Sequence, residues 1–512
     1  MVKEINTMIN FSKDQNNFFN WVENDNGNVI LEAVAGSGKT FTILKSIENI
    51  TSSVCLLAFN KKMAEEFKEK IITNEKLKNH PHLVPSTFHS IGFSALKNCY
   101  SFYIKLDDNK VKKITKEFAA ENNDFKEYIP GVISLVSMAK NRAIGIESSF
   151  DDFEAWRDII DTFQIDFPFD FSYEKAIKFA KIVLNKSNNT TKIIDFDDMI
   201  YLPLKRQIEM KQYDWVFIDE AQDTNPSRRL LAKKLLKDNG RFVAVGDRHQ
   251  SIFGFTGTDN DSLDKIANEF NTTYLPLTTS FRCPRSVIKH AKGWVKHIEP
   301  HTQALTGFVE TIDYDNLYNS FLNKEYKDIS ILCRYNSHLV SLCFNLIKNG
   351  YPAKIEGRNI GENIKKLALR WKQINTLNQL ENKLNDYLIK ETNKALLNEQ
   401  ETRAEQIKDQ VETLFVIIER ARLKNITYIS DLTLMIEEIF DDNISNKNLI
   451  TLSTVHKSKG MEWKYVYILG REQFMPSKYA KYQWQKDQEK NLIYVSITRA
   501  MIGLYEITNV PE

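Results

Sequence analysis

Two stretches of this chain carry side chains whose types and spacing suit chemistry on a phosphoanhydride. In the first, the apolar run from Val29 to Ala33 breaks into Ala35, Gly36, Ser37 and Gly38 and ends in Lys39 and Thr40. Small residues let successive backbone N–H groups point at one anion, and a helix starting behind them adds positive potential. The usual form of such a loop opens on a glycine where this chain has Ala33. A Gly-Ser-Gly turn alone also reads as an ordinary strand-to-helix connection. The adjoining Lys39-Thr40 and the apolar strand favour a nucleotide phosphate. In the second stretch, Val216, Phe217 and Ile218 run into Asp219 and Glu220. Carboxylates at the end of an apolar strand emerge at the carboxyl edge of a sheet, where open α/β sheets bind ligands. Asp219 can hold the Mg²⁺ that Thr40 also touches, and Glu220 can orient and deprotonate a water. A harmless acidic pair at a helix N-terminus is the other reading, and it loses ground once the phosphate loop is counted.

The elements that must position these groups alternate. Ser12 reads as the N-cap of a helix over Asn16 to Val22, with Gln15 at the capping-box position, so that Gln15 by itself is a helix cap. A helix over Phe41 to Ile47 follows the loop, then a strand over Ser53 to Phe59, a charged helix opening at Asn60 and another after Val84 to Ser90. Strands alternating with helices imply a parallel sheet covered on both faces. From about Lys97 to Thr191 the spacing turns helical, with no strong strand. Strand patterns return at Tyr213 to Asp223 and Arg241 to Gln250. Thr273 to Leu277 is expected to open a second sheet unit, continued by Ile329 to Arg334. Between about Gly361 and Lys447 lies a second helical stretch, where Leu377, Leu380, Leu384 and Tyr387 fall at three-and-four spacing and read as the core of a helical hairpin. Strands and helices resume over Leu449 to Leu469 and Asn491 to Tyr505.

A length of 512 residues predicts about three or four folded units. With 42% hydrophobic and 27% charged residues the chain is globular in composition, and a net charge of +2 means that any nucleic-acid site is a local groove. Cys55, Cys99, Cys283, Cys333 and Cys343 are odd in number, lack Cys-x-x-Cys spacing and sit mostly in apolar runs, which reads as reduced, buried thiols in a cytosolic protein. The absence of a signal pattern and of a membrane-length apolar span argues against secretion and membrane insertion.

Asp219 to Asn225 resembles motif II of the superfamily 1 DNA helicases of the UvrD, Rep and PcrA group, and the other motifs follow in that family's order. Ala33 is usual in that family's loop. Gln15 resembles its Q motif, Leu57 to Ala64 motif Ia, Ser86 to Ser90 motif Ib, and Val245 to Phe255 motif III. Leu277 to Arg282 is similar to motif IV, Leu452 to Glu462 to motif V, and Tyr494 to Ala500 to motif VI. The resemblance covers nearly the whole chain, from Gln15 to Arg499.

The resemblance implies an α/β fold of two RecA-like P-loop motor domains with parallel sheets, each carrying a helical insertion, and ATP in the cleft. The first motor domain is expected over 1–96 plus 193–275, its insertion over 97–192, the second over 276–360 plus 449–512, and a reduced insertion over 361–448. ATP and Mg²⁺ are the implied cofactors. Ala35, Gly36, Ser37 and Gly38 would cradle phosphates, Lys39 would contact the β- and γ-phosphates, and Thr40 and Asp219 would hold the metal. Gln15 would read adenine, Phe281 stack on it and Glu462 reach the ribose. Glu220 would activate water, Gln250 sense the γ-phosphate, and Arg282 and Arg499 act as arginine fingers. Both arginines also read as structural ion pairs. DNA contacts are implied at Phe59, Thr87, His89, Phe253, Phe255, Thr454 and His456. Three departures stand out. Phe253, Phe255 and Thr256 replace the family's frequent Tyr, Trp and Arg of motif III, the second insertion is short, and the chain ends at Glu512 without a long tail or an appended nuclease.

The expected activity is an ATP-dependent DNA helicase or translocase moving 3′ to 5′, on single-stranded and tailed double-stranded DNA, as a monomer or weak oligomer with no membrane association. A DNA-sensing ATPase subunit of a nuclease or phage-defence complex, partnered by a nuclease or a repair or replication factor, is the alternative, and a P-loop module indifferent to nucleic acid is a third. The block from Arg471 to Lys490 interleaves Phe474, Tyr479, Tyr482 and Trp484 with Lys478, Lys481 and Lys486. It reads either as a single-strand surface or as a solvated connector with packed aromatics.

Overall fold

In a computed structural model, the chain is described over residues 10–511 apart from 169–170, 253, 255–256, 260, 398–399, 441–447 and 481. It forms two compact units, Met1–Ser280 and Phe281–Glu512.

The first unit is built on a six-stranded sheet. Its strands run in the spatial order Leu83–Thr87, Val54–Ala58, Tyr213–Ile218, Leu236–Gly246, Asn28–Ala33, Thr272–Leu277, and every neighbouring pair is parallel. Val54–Ala58 is wholly apolar and buried at every residue, as a central parallel strand with both faces covered requires. The helices Lys13–Asn24, Lys39–Ile47 and Lys61–Thr73 belong to the same unit, and Phe18, Ile43 and Phe67 from these helices pack into one core with Leu31, Leu56 and Phe217 of the strands.

Two edges differ from the sequence expectation. Thr272–Leu277 does not open a second sheet; it pairs with the phosphate-loop strand from Asn28↔Thr272 to Ala33↔Leu277 and closes the first sheet. At the opposite edge, Leu83–Thr87 is a strand before the helix that was expected there. Each edge strand contains a proline, Pro276 and Pro85. A residue with no N–H disrupts an inner ladder but is tolerated at an edge, and at Pro85 it also disguises the strand in the sequence.

Between the strands Leu83–Thr87 and Tyr213–Ile218 lies a helical body made of Lys110–Glu121, Ile129–Asn141, Phe153–Thr162 and Tyr173–Asn189. It has its own core around Val132, Leu135, Trp156, Phe179 and Val183. A two-residue pairing joins Lys105–Leu106 to Ile193–Ile194. Buried charges secure the return: Asp198 receives Lys110 at 2.6 Å and Lys140 at 2.7 Å, and Lys140 also reaches Asp195 at 2.7 Å.

The second unit has its own six-stranded parallel sheet, in the order Phe308–Asp313, Ala500–Thr508, Trp463–Leu469, Ile329–Cys333, Ile450–Thr454, Ala353–Ile355. The helical stretch of this unit includes Leu377–Leu397, Glu401–Leu423 and Ile429–Ile439. Leu377, Leu380 and Leu384 are buried, and Tyr387 packs against them, as the stripe predicts. These helices share one hydrophobic cluster with the sheet residues Ile331, Leu452 and Tyr467. Cys55, Cys283, Cys333 and Cys343 are buried and Cys99 is exposed, all as free thiols. Among the described residues no helix is long and apolar enough to cross a membrane.

Candidate nucleotide site and nucleic-acid face

The loop after Asn28–Ala33 turns on two glycines in the left-handed region, Gly36 at φ 72° and Gly38 at φ 76°. Gly38 caps the helix Lys39–Ile47, whose first turn holds no acidic side chain to oppose its positive end. Ser37 is buried, and its Oγ has no hydrogen-bond partner among the described residues. A buried hydroxyl beside a helix N-terminus suits a phosphate oxygen. Gln15 does more than cap its own helix. Its Oε1 accepts the Ser12 N–H at 3.0 Å while its Nε2 donates to Thr42 Oγ1 at 3.0 Å, and Thr42 in turn donates to the Gly38 carbonyl at 3.0 Å. The first helix is thereby tied to the turn that carries Gly38.

At the end of Tyr213–Ile218, Asp219 is buried and Glu220 takes φ 51°, a left-handed conformation that few residues with a side chain adopt. Lys39 Nζ lies 2.9 Å from Glu220 Oε1, so the loop and the acidic strand end meet. Burial, reinforced by the Glu220 charge, pushes the Asp219 carboxyl up to about 7. Burial also opposes the Lys39 charge, but the carboxylates of Glu220, Asp219 and Asp247 outweigh it and hold this lysine above its ordinary value. Three acids therefore surround one ammonium in a water-poor site, and a hydroxyl–carboxylate donor set such as Thr40 and Asp219 matches the oxygen ligands Mg²⁺ prefers.

One residue that sequence reasoning did not single out links this site together. Gln222 donates from Nε2 to Glu220 Oε2 at 2.5 Å, and its Oε1 accepts the Asp247 N–H at 3.0 Å. Asp247 Oδ2 accepts Gln250 Nε2 at 2.7 Å. Glu220, Gln222, Asp247 and Gln250 thus form a continuous chain. Gly246 leaves room for this arrangement, because a Cβ there would stand 2.6 Å from Gln222 Oε1 and push that amide aside. The signal available beforehand was positional only: Gln222 sits two residues after the proposed base.

The carboxyl ends of Val54–Ala58 and Leu83–Thr87 lie beside that of Tyr213–Ile218 and present Phe59, Thr87 and His89. Thr87 caps the helix Phe88–Cys99 by accepting the Ser90 N–H at 3.1 Å. Burial and the nearby Arg228 push His89 down to about 4, so at neutral pH it is an uncharged imidazole. Arg228, absent from the sequence expectation, lies over the Phe59 ring at 4.4 Å. Phe253 and Phe255 lie outside the described residues.

In the second unit the structure brings Arg282, Glu462 and Arg499 together. Arg282 Nε pairs with Glu462 Oε2 at 2.5 Å, and its Nη1 reaches the Thr498 carbonyl at 3.5 Å. Arg499 is 1% exposed and donates to the carbonyls of Val495 at 3.0 Å and Met461 at 3.2 Å. Phe281 is 41% exposed beside His301, at 4.8 Å between ring centres. Thr454 is buried at the end of its strand. His456 is held far below the imidazole range by burial and by Arg334, which leaves it neutral. In the 471–490 block, Phe474 stacks on His338 at 4.4 Å, and Glu489 accepts Arg334 at 3.0 Å. Those groups are packed; Tyr482 is 42% exposed. Lys481 lies outside the described residues.

A phosphate loop facing a strand-terminal carboxylate pair on one parallel sheet, with a second parallel sheet in the same chain, defines a protein of two RecA-like P-loop units. Residues 14–271 match the UvrD/REP helicase N-terminal domain, and residues 449–505 match the UvrD-like helicase C-terminal domain. The chain belongs to the UvrD/Rep helicase family. It is similar to the ATP-dependent DNA helicase Rep of Salmonella typhimurium, with 27% identity over 66% of this chain and 54% of that protein. The match to the Rep helicase of Buchnera aphidicola from Schizaphis graminum has 24% identity and covers 95% of this chain and 92% of that protein. For the ATP-dependent DNA helicase PcrA of Bacillus subtilis the identity is 22%, over 95% of this chain and 81% of the relative. The match with Salmonella Rep therefore spans about half of that relative, at 54%.

Proposed function

We propose that this protein is an ATP-dependent DNA helicase or translocase that moves 3′ to 5′ along single-stranded DNA in the cytoplasm. The observation that carries the reading is the meeting of Lys39 with Glu220 at 2.9 Å in the family's motif context. The names of the relatives support it: Rep and PcrA are each called ATP-dependent DNA helicases. Gly36, Ser37 and Gly38 cradle the phosphates, Lys39 neutralises them, and Gln15 and Phe281 hold the adenine with Glu462 on the ribose. Thr40 and Asp219 hold Mg²⁺, which supplies charge neutralisation on the phosphates when bound. Glu220 takes a proton from the attacking water. Gln250 reads the γ-phosphate, and its bond to Asp247 passes that reading to Gln222 and the base. Arg282 and Arg499 add positive charge in the transition state. Phe59, Thr87, His89, Phe253, Phe255, Thr454 and His456 contact DNA, the two histidines as neutral hydrogen-bonding groups.

The test is the ATP hydrolysis rate with and without oligo-dT. Stimulation by the single strand is expected, whereas turnover indifferent to DNA would contradict the reading. Stimulated turnover that opens no tailed duplex would identify a DNA-sensing ATPase instead.

A further inference from the structure

Arg228 and Arg229 are neighbours on the helix Pro226–Leu235, yet their charges are treated differently. Arg229 is paired with Asp259 at 2.8 Å and Glu269 at 2.8 Å. Arg228 has no carboxylate in salt-bridge reach among the described residues; its Nη1 donates to the Asp223 carbonyl at 3.0 Å, and its Nε is buried with no hydrogen-bond partner. The guanidinium lies 4.4 Å from the Phe59 ring centre and 6.0 Å from that of Phe88. Its backbone is fixed too, since Asn225 Oδ1 accepts the Arg228 N–H at 3.0 Å as the cap of the helix. Burial draws its pKa down to about 10 against the more distant pull of Asp223 and Asp197. Arg228 is half-buried, and the part of its guanidinium withdrawn from water lacks a hydrogen-bonded counter-charge, which is costly. The location shows what would offset that cost. Arg228 stands where three strand ends meet, Val54–Ala58, Leu83–Thr87 and Tyr213–Ile218, beside the capped N-terminus of Phe88–Cys99, and both features favour an anion.

We propose that Arg228 binds a backbone phosphate of single-stranded DNA, with Phe59 serving as the platform that holds the guanidinium plane. The inference rests on the reading of this face as the single-strand site and changes what that face does. The Phe59 side covered by Arg228 is not open to a base, so Phe59 acts by orienting a phosphate-binding fork. Arginine suits this role because two parallel N–H groups match two phosphate oxygens.

Fluorescence anisotropy of labelled oligo-dT across a series of KCl concentrations tests it. Removing one cation that neutralises a phosphate of a single strand makes the slope of log affinity against log salt shallower by about 0.7. Arg228→Gln is expected to show that change together with roughly tenfold or greater weakening, the scale of one hydrogen bond to a charged group. Arg228→Lys, which keeps the charge, is expected to keep the slope. If Arg228→Gln melts early, Arg228→Met retains the apolar stem over Phe59 and carries the same expectation. Wild-type affinity and slope in an uncharged variant with a normal melting curve would overturn this inference alone. Failure of the unaltered protein to bind oligo-dT would overturn the helicase reading and this inference with it.

Discussion

In the proposed reading, hydrolysis at the phosphate loop comes down to a few atoms, and Lys39 and Glu220 are expected to fail differently when altered. The carboxylates of Glu220, Asp219 and Asp247 hold the Lys39 ammonium charged. Lys39→Ala removes both the phosphate contact and that compensation, so ATP binding and turnover are expected to disappear together. Glu220→Gln keeps the size of the side chain and its place beside Lys39 and Gln222 but cannot take a proton. It should bind ATP, measured by a fluorescent analogue, and hydrolyse it at least a hundredfold more slowly, the low end for a positioned general base. Near wild-type turnover in Glu220→Gln would remove Glu220 from that role. Lys39, Asp219 and Glu220 were legible in the sequence because each belongs to a short contiguous string. Gln222 and Arg228 were not. The partners that define them, the Asp247 N–H and the Phe59 ring, lie far away in the chain, and no local pattern announces a contact that only folding creates.

Among the elements, the helical body of the first unit depends on buried charge as well as on its core. Asp198 sits in a capping box with Asp195 at the start of Phe196–Lys205 and receives both Lys110 and Lys140. Asp198→Asn would leave two buried ammonium groups with Asp195 as the remaining partner of Lys140. Breaking a buried pair in this way costs about 3–5 kcal/mol, so calorimetry should show a clearly lower melting temperature, and an unchanged melt would mean that the lysines find water. The strands were legible where they are central and apolar, as in Val54–Ala58 and Tyr213–Ile218. At the edges, Leu83–Thr87 was missed, since Pro85 suits an edge that lacks a second neighbour but looks like a break in a linear reading, and Thr273 to Leu277 was read as a strand of the wrong sheet. Thr272–Leu277 consequently belongs to the sheet of the phosphate loop, and the first unit extends to Ser280.

For the whole molecule, a net charge of +2 means that the proposed DNA binding draws on local groups. The same holds for hydrolysis, where our proposal draws on Arg282 and Arg499. In the structure Arg282 pairs with Glu462 and Arg499 is buried against backbone carbonyls, so each also supports its own unit. An arginine finger contributes on the order of a thousandfold to turnover. Arg282→Ala and Arg499→Ala should therefore cripple ATP hydrolysis, and unchanged turnover in both with normal melting would assign them to structure alone. Strand-displacement assays on duplexes bearing a 3′ or a 5′ single-stranded tail test the proposed directional, ATP-driven movement on DNA. ATP-dependent opening of the 3′-tailed duplex is expected, with little opening of the 5′-tailed one and none of either by Glu220→Gln; equal opening of both, or opening without ATP, would contradict the proposed movement.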